Sequence, residues 1–213
     1  MAQIDTVFNY LRANYKENEP IFLSDVNVPG MDDVVLRQYI RQLTASDTIK
    51  RFDSGVYFFP RKTIFKSGST LSVIDVINRK YLNDKEQRCG YVSGLMFANQ
   101  LGITTQVPAY YEICTNKATT TYRETRLANQ KVILKKPYAE ITEENAQVLQ
   151  FMDLLKEIDM YSELKGQELK DRIIDYMKTK RISFDAMRRY LRYYPDKIYR
   201  NMYEMGLLNG ISA

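Results

Sequence analysis

The chain has 213 residues, 45% of them hydrophobic, enough for one large or two small domains with buried cores. It contains no histidine, which excludes Ser-His-Asp and Cys-His catalysis, HExxH zinc chemistry and histidine-based pH sensing. Its formal charge is +5, a balance that suits a polyanionic partner.

Two cysteines, Cys89 and Cys114, are too few for a disulfide framework and read as ordinary thiols in a reducing cytoplasm. No apolar run approaches the ~20 residues needed to cross a bilayer, and the N-terminus lacks the pattern of a secretory signal. The expected location is therefore cytoplasmic, with no membrane association. The charge is uneven. Residues 1–62 hold eight Lys/Arg and eight Asp/Glu, while residues 63–136 hold eleven basic and five acidic residues. Within the neutral first segment, Arg37 to Lys62 carries six basic residues against Asp47 and Asp53.

Ile4, Val7, Phe8 and Leu11 fall at i, i+3, i+4 and i+7 and predict a first helix. In "IFLSDVNVPG", Ser24 or Asp25 is placed to cap a short second helix. The third helix starts at Asp32 or Asp33, where a carboxylate suits the positive helix end. Its apolar stripe is Leu36, Ile40 and Leu43, which leaves Arg37, Gln38 and Arg41 toward solvent. Two strands follow, about 48–52 and 55–59, around the turn Asp53-Ser54-Gly55. Val56 and Phe58 alternate with Tyr57 and Phe59 as in a half-buried strand.

Helix, short helix, helix and hairpin in this order predict a winged helix-turn-helix over 1–62. The third helix is then the recognition element and the hairpin the wing. Arg37, Gln38 and Arg41 are residue types that read base edges or hold phosphate. Lys50, Arg51, Arg61 and Lys62 flank the wing and would supply phosphate contacts. The other reading is a winged helix used for protein contacts, with its charges merely solvated.

"TIFKSGS", residues 63–69, reads as a linker to a second domain over 70–213. "TLSVIDVINRKYL" looks helical, and "GYVSGLMFANQLG" reads as a short apolar helix stopped by Gly102. Three strand-like runs between about 109 and 136 predict an antiparallel three-stranded sheet on those helices. Helices should fill about 142–206. Their stripes are Val148, Met152, Leu155 and Ile158, then Leu169, Ile173 and Met177, then Phe184, Met187 and Leu191 with Ser183 at the N-cap, and Asp196 opens a fourth helix with Ile198, Met202 and Met205, stopped by Gly206. The expected class is α+β: a winged helix-turn-helix, a helix-plus-antiparallel-sheet domain and a C-terminal helical bundle.

The run Lys178–Arg200 holds eight basic residues against Asp185 and Asp196, and arginines and tyrosines interleave in "RRYLRYY". Arg188, Arg189, Arg192 and Tyr193 are a candidate nucleic-acid or partner patch; the other reading is a helix with a basic solvent face. There is no GxGxxG, no GxxxxGK[ST] and no polymerase-type acidic pair. No catalytic residue, cofactor site or metal site is expected.

"GVYFFPRK", "GYVSGLMFANQLGITTQVPAYYEICTN", "YRETRLANQKVILKKP" and "ITEENAQVLQFMDLLKEID" together resemble the AbiEi-type antitoxins of bacterial type IV toxin–antitoxin, or abortive infection, systems. The resemblance covers about residues 1–160, and its more specific part is the block from "GYVSG" to "LGITTQVP". It implies a winged helix that binds double-stranded operator DNA and represses its own operon. It also implies a second domain that carries antitoxin activity against a nucleotidyltransferase-like toxin, without a stable complex and without catalysis. By position it assigns DNA contact to Arg37, Gln38, Arg41 and the basic residues of the wing. The competing expectation is an interaction module that binds toxin or RNA through the basic, Tyr-rich C-terminal helices.

Overall fold

The computed structural model describes residues 3–63, 68–84 and 87–208 and is a mixed α+β structure. It divides into two compact units, Met1–Arg79 and Lys80–Ala213. The first unit thus extends past the expected boundary at 62. It takes in helix α3 (Val73–Ile77), which the sequence suggests opens the second domain. Residues 64–67 of the expected linker lie outside the described residues.

In the first unit, α1 (Gln3–Asn14) and α2 (Asp33–Ala45) pack through the expected stripes, with Val7, Leu11, Leu36, Ile40 and Leu43 buried together. Asp32 is the N-cap residue of α2, but its side chain makes no capping hydrogen bond, so its favourable effect there is that of a charge at the helix end. Strands β1 (Ile21–Phe22), β2 (Lys50–Asp53) and β3 (Val56–Phe58) form an antiparallel sheet in the order β1-β3-β2.

β1 corrects the sequence reading. Ile21 and Phe22 pair with Tyr57 and Val56, so a strand that the sequence reading did not contain directly precedes the short helix. That helix is a single 3₁₀ turn, Leu23–Asp25, and Ser24 and Asp25 lie within it instead of capping it. The hairpin turn is as its residues demand, with Gly55 at φ +72°, a conformation that costs glycine least. Phe59 does not alternate outward. It lies just past β3, fully buried in the core formed by the two helices.

The second unit contains a small hairpin, β4 (Asn83–Asp84) with β5 (Gln87–Arg88), and a four-stranded sheet. The sheet comprises β6 (Gly90–Ser93), β7 (Tyr111–Thr115), β8 (Tyr122–Leu127) and β9 (Gln130–Lys135), in the order β6-β7-β9-β8. Two expectations fail here. "GYVS" is a strand, and only the following segment is helical, α4 (Gly94–Gln100). The sheet is mixed, because β9 runs parallel to β7 between β7 and β8. Asn116, in the turn after β7, also holds a later segment: its amide donates to the Ile141 carbonyl (2.8 Å) and accepts from the Ile141 N–H (2.9 Å).

α4 stops as expected at Gly102: the Gly102 N–H reaches the Asn99 carbonyl and the Ile103 N–H that of Ala98. The helices α5 (Ala146–Lys156), α6 (Ile158–Tyr161), α7 (Gly166–Lys180), α8 (Phe184–Leu191) and α9 (Lys197–Glu204) follow. Their apolar faces join Tyr91, Phe97 and Cys114 in a core of the second unit. Ser183 caps α8, accepting from the Ala186 N–H at 3.2 Å.

Candidate nucleic-acid interface

α2 is amphipathic by construction. With Leu36, Ile40 and Leu43 fixed inward, helical spacing sends Arg37, Gln38 and Arg41 to the opposite face, where all three are exposed. β2 and β3 place a third cation beside the two arginines. Arg51 and Tyr57 are direct cross-strand partners, so their side chains share one face of the sheet. The register slips between Arg51 and Asp53, a bulge at the tip of the ribbon.

The result is a groove of about 530 Å³ lined by Arg37, Arg41, Thr44 and Ala45 from α2, by Arg51 and Tyr57 from the sheet, and by Ser54, Gly55 and Leu23. Arg51 is tied within the hairpin, its Nε donating to the Asp53 carbonyl at 3.2 Å. Among the described residues, neither Arg37 nor Arg41 has a salt-bridge partner. Unpaired guanidinium groups on a rigid helix are ready donors for charge-assisted hydrogen bonds to phosphate, or for bidentate bonds to a base edge.

The other predicted wing residues are placed differently. Lys50 alternates with Arg51 along β2, and its ammonium lies beside Gly68, away from the groove. Arg61 and Lys62 are exposed beyond β3. The Arg61 backbone is pinned there, its N–H donating to Ser69 Oγ at 2.7 Å and its carbonyl accepting from the Ser69 N–H at 3.1 Å. The structure thus gathers Arg37, Arg41 and Arg51, sets Gln38 on the same helix face, and leaves Lys50, Arg61 and Lys62 outside the groove.

In the second unit, Arg188, Arg189 and Arg192 are exposed, and Tyr193 is 45% exposed. The Arg192 guanidinium lies 4.7 Å from the Tyr193 ring centroid. "RRYLRYY" is not a continuous aromatic platform, however. Tyr194 is buried, its hydroxyl donating to the Leu149 carbonyl at 3.3 Å, and Tyr190 packs against the core. Tyr199 and Tyr203 on α9 are the other exposed rings nearby in sequence.

Sequence reasoning missed a polar cluster inside the second unit. The Tyr91 hydroxyl donates to Asp153 Oδ2 at 2.8 Å. Asp153 Oδ1 is buried with no hydrogen-bond partner among the described residues. Burial raises the Asp153 pKa, against the opposing pull of the Lys156 charge and the Tyr91 hydrogen bond. Burial, then the Asp153 charge, likewise raises Tyr91, Cys114 and Tyr194. Both thiols are free and buried. The one signal in the sequence is Asp153 itself, a lone carboxylate inside the apolar run "FMDLL". A second buried carboxylate, Glu112, pairs with Lys135 and lies directly under Gly94, where a side chain would overlap it. Among the described residues no group of side chains is arranged to hold a metal ion, and no helix is long and apolar enough to cross a membrane.

No family model matches the chain, and no curated protein matches it.

Proposed function

We propose that the chain is a DNA-binding antitoxin and autorepressor of the AbiEi type. Its first unit works as a winged helix-turn-helix, with α2 as recognition helix and β2–β3 as wing. The observation that carries the DNA reading is the convergence of Arg37, Arg41 and Arg51 on one groove beside a β-ribbon, on a helix whose opposite face is locked into a core. A helix of this kind fits the major groove, and a flanking ribbon grips the backbone. Lys50, Arg61 and Lys62 add charge outside the groove and act through phosphates at longer reach. The antitoxin part rests on the motifs of the second unit, from "GYVSG" to "LGITTQVP". The reading assigns the chain no catalytic step.

Binding of the duplex upstream of its own gene tests the first part. Arg37→Ala with Arg41→Ala should lower affinity by about 10- to 100-fold, the worth of one or two lost charge-assisted contacts. Raising salt should weaken the wild type steeply, because phosphate contacts release counterions. A double variant that binds as well as wild type would remove α2 from the interface. Co-expression with a neighbouring nucleotidyltransferase-like gene tests the second part: growth should be restored, and unrelieved toxicity would end the antitoxin reading.

A second reading is favoured by exposed Tyr193, Tyr199 and Tyr203, close in sequence to the arginines of α8. Exposed rings and guanidinium groups, such as the Arg192–Tyr193 pair, suit stacked bases or a protein partner. RNA binding, or toxin co-purification, that survives deletion of residues 1–62 would favour this interaction module over the repressor.

A further inference from the structure

One residue on the solvent face of α2 is unlike its neighbours. Val34, Arg37, Gln38 and Arg41 stand at i, i+3, i+4 and i+7, a single stripe opposite Leu36, Ile40 and Leu43. Three members of the stripe are long and polar. Val34 is apolar, β-branched and 68% exposed.

Helix stability does not account for it. A β-branched side chain loses χ1 freedom in a helix, so at an exposed position it is a poorer choice than Ala, Glu or Lys. Nor does it staple the helix start. The staple positions for a helix capped at Asp32 are Met31 and Leu36, and it is these that pack on the core. Single exposed apolar residues are common on proteins; what distinguishes Val34 is its address. It is the second residue of α2, in the first turn, and in helix-turn-helix docking the N-terminal residues of the recognition helix are the ones that meet base edges. That turn carries no basic residue, only exposed Asp32 and Asp33, so attraction to phosphate is not what it contributes. The one apolar feature on the floor of the major groove is the C5-methyl group of thymine.

We propose that Val34 is a specificity-determining residue whose isopropyl group packs on the C5-methyl of a thymine in the bound duplex. The assignment rests on the DNA reading of the first unit. Val34 and Arg41 are seven residues apart, roughly 10 Å along the helix axis, or about three base steps. The recognised thymine therefore lies within a few base pairs of whatever Arg41 holds, and in a fixed direction from it.

The test uses the full chain and a pool of duplexes with a random core. The tightest-binding duplex is remade with each thymine in turn replaced by deoxyuridine, which removes the methyl and nothing else. One thymine per recognition helix should prove sensitive, the loss being about fourfold, as expected for one methyl's worth of buried apolar surface. Val34→Ser should bind the original duplex about as weakly as wild type binds the uridine form, and should be indifferent to the same replacement. Circular dichroism of Val34→Ser should match wild type, since the site is exposed.

The outcomes separate the two readings. If no duplex is enriched, the DNA function falls and this assignment with it. If a duplex is enriched and is weakened by Arg37→Ala with Arg41→Ala, yet every uridine replacement is neutral, the DNA function stands and the Val34 assignment is wrong. A sensitive thymine that stays sensitive in Val34→Ser is read by another residue, which also overturns the assignment.

Discussion

Asp153 shows how a single residue can leave a trace on the whole stability curve. Its carboxyl sits in the second core with one oxygen bonded to Tyr91 and the other unpartnered among the described residues, and burial raises its pKa. A carboxyl whose folded pKa lies above its unfolded value holds its proton more tightly in the native state. Its contribution is favourable below the ordinary carboxylate range, near pH 4, and is lost as pH rises through the folded value. Asp153→Asn keeps an acceptor for Tyr91 and cannot ionise. As pH rises from about 4 to 7, the urea midpoint of wild type should fall relative to that of the variant; parallel curves would mean Asp153 is not strained by burial. The same scale explains what was legible at the proposed interface. Arg37 and Arg41 could be placed outward because Leu36, Ile40 and Leu43 fix the phase of the helix. Lys50 and Arg51 could not be told apart, since the face each takes depends on strand register.

Elements were read well where periodicity is long and badly where it is short. α1 and α2 announce themselves over three or more turns, their buried positions following a 3.6-residue period, and in α7 Ile173 is buried with Leu169 and Met177 partly buried on the same core. β1 has two residues, too few to carry any alternation, and exists only because β3 offers it an edge. "GYVSGLMFANQ" switches from strand to helix at Gly94 without a polar break, so its apolar pattern reads as one helix. Helix ends deep in the protein pose a further demand, because their last carbonyls need donors. Asn201, buried on α9, meets it for α5: its amide donates to the Leu155 carbonyl at 2.8 Å and the Lys156 carbonyl at 3.2 Å. Asn201→Ala should cost about 1–3 kcal/mol, the penalty for buried acceptors left unpaired. Urea unfolding measures it, and an unchanged midpoint would show that water takes over both carbonyls.

At the scale of the whole molecule, the chain forms two compact units, Met1–Arg79 and Lys80–Ala213, and each contains a cluster of buried apolar residues. Each unit is large enough to bury its own apolar surface. Residues 1–79 and residues 80–213, expressed separately, should each unfold cooperatively, as followed by circular dichroism in urea. A fragment that shows no transition would mean its core needs the rest of the chain. On the DNA reading, the 1–79 fragment should also retain sequence preference while its salt dependence reports only its own phosphate contacts. The charge distribution within the first unit is meaningful as well. A first segment that is neutral in total still carries a basic groove, because its acids are concentrated before α2 and its bases from Arg37 onward.

Local sequence determined the phase of each long helix, the hairpin turn at Gly55 and the caps at Ser183 and Gly102, since backbone sterics and hydrophobic period act over a few residues. Tertiary structure alone decided that β9 lies between β7 and β8, that Tyr91 and Asp153 meet 62 residues apart, and that Arg51 joins the α2 arginines while Lys50 does not. Those outcomes depend on which distant surfaces bury one another, and no window of neighbouring residues contains that information.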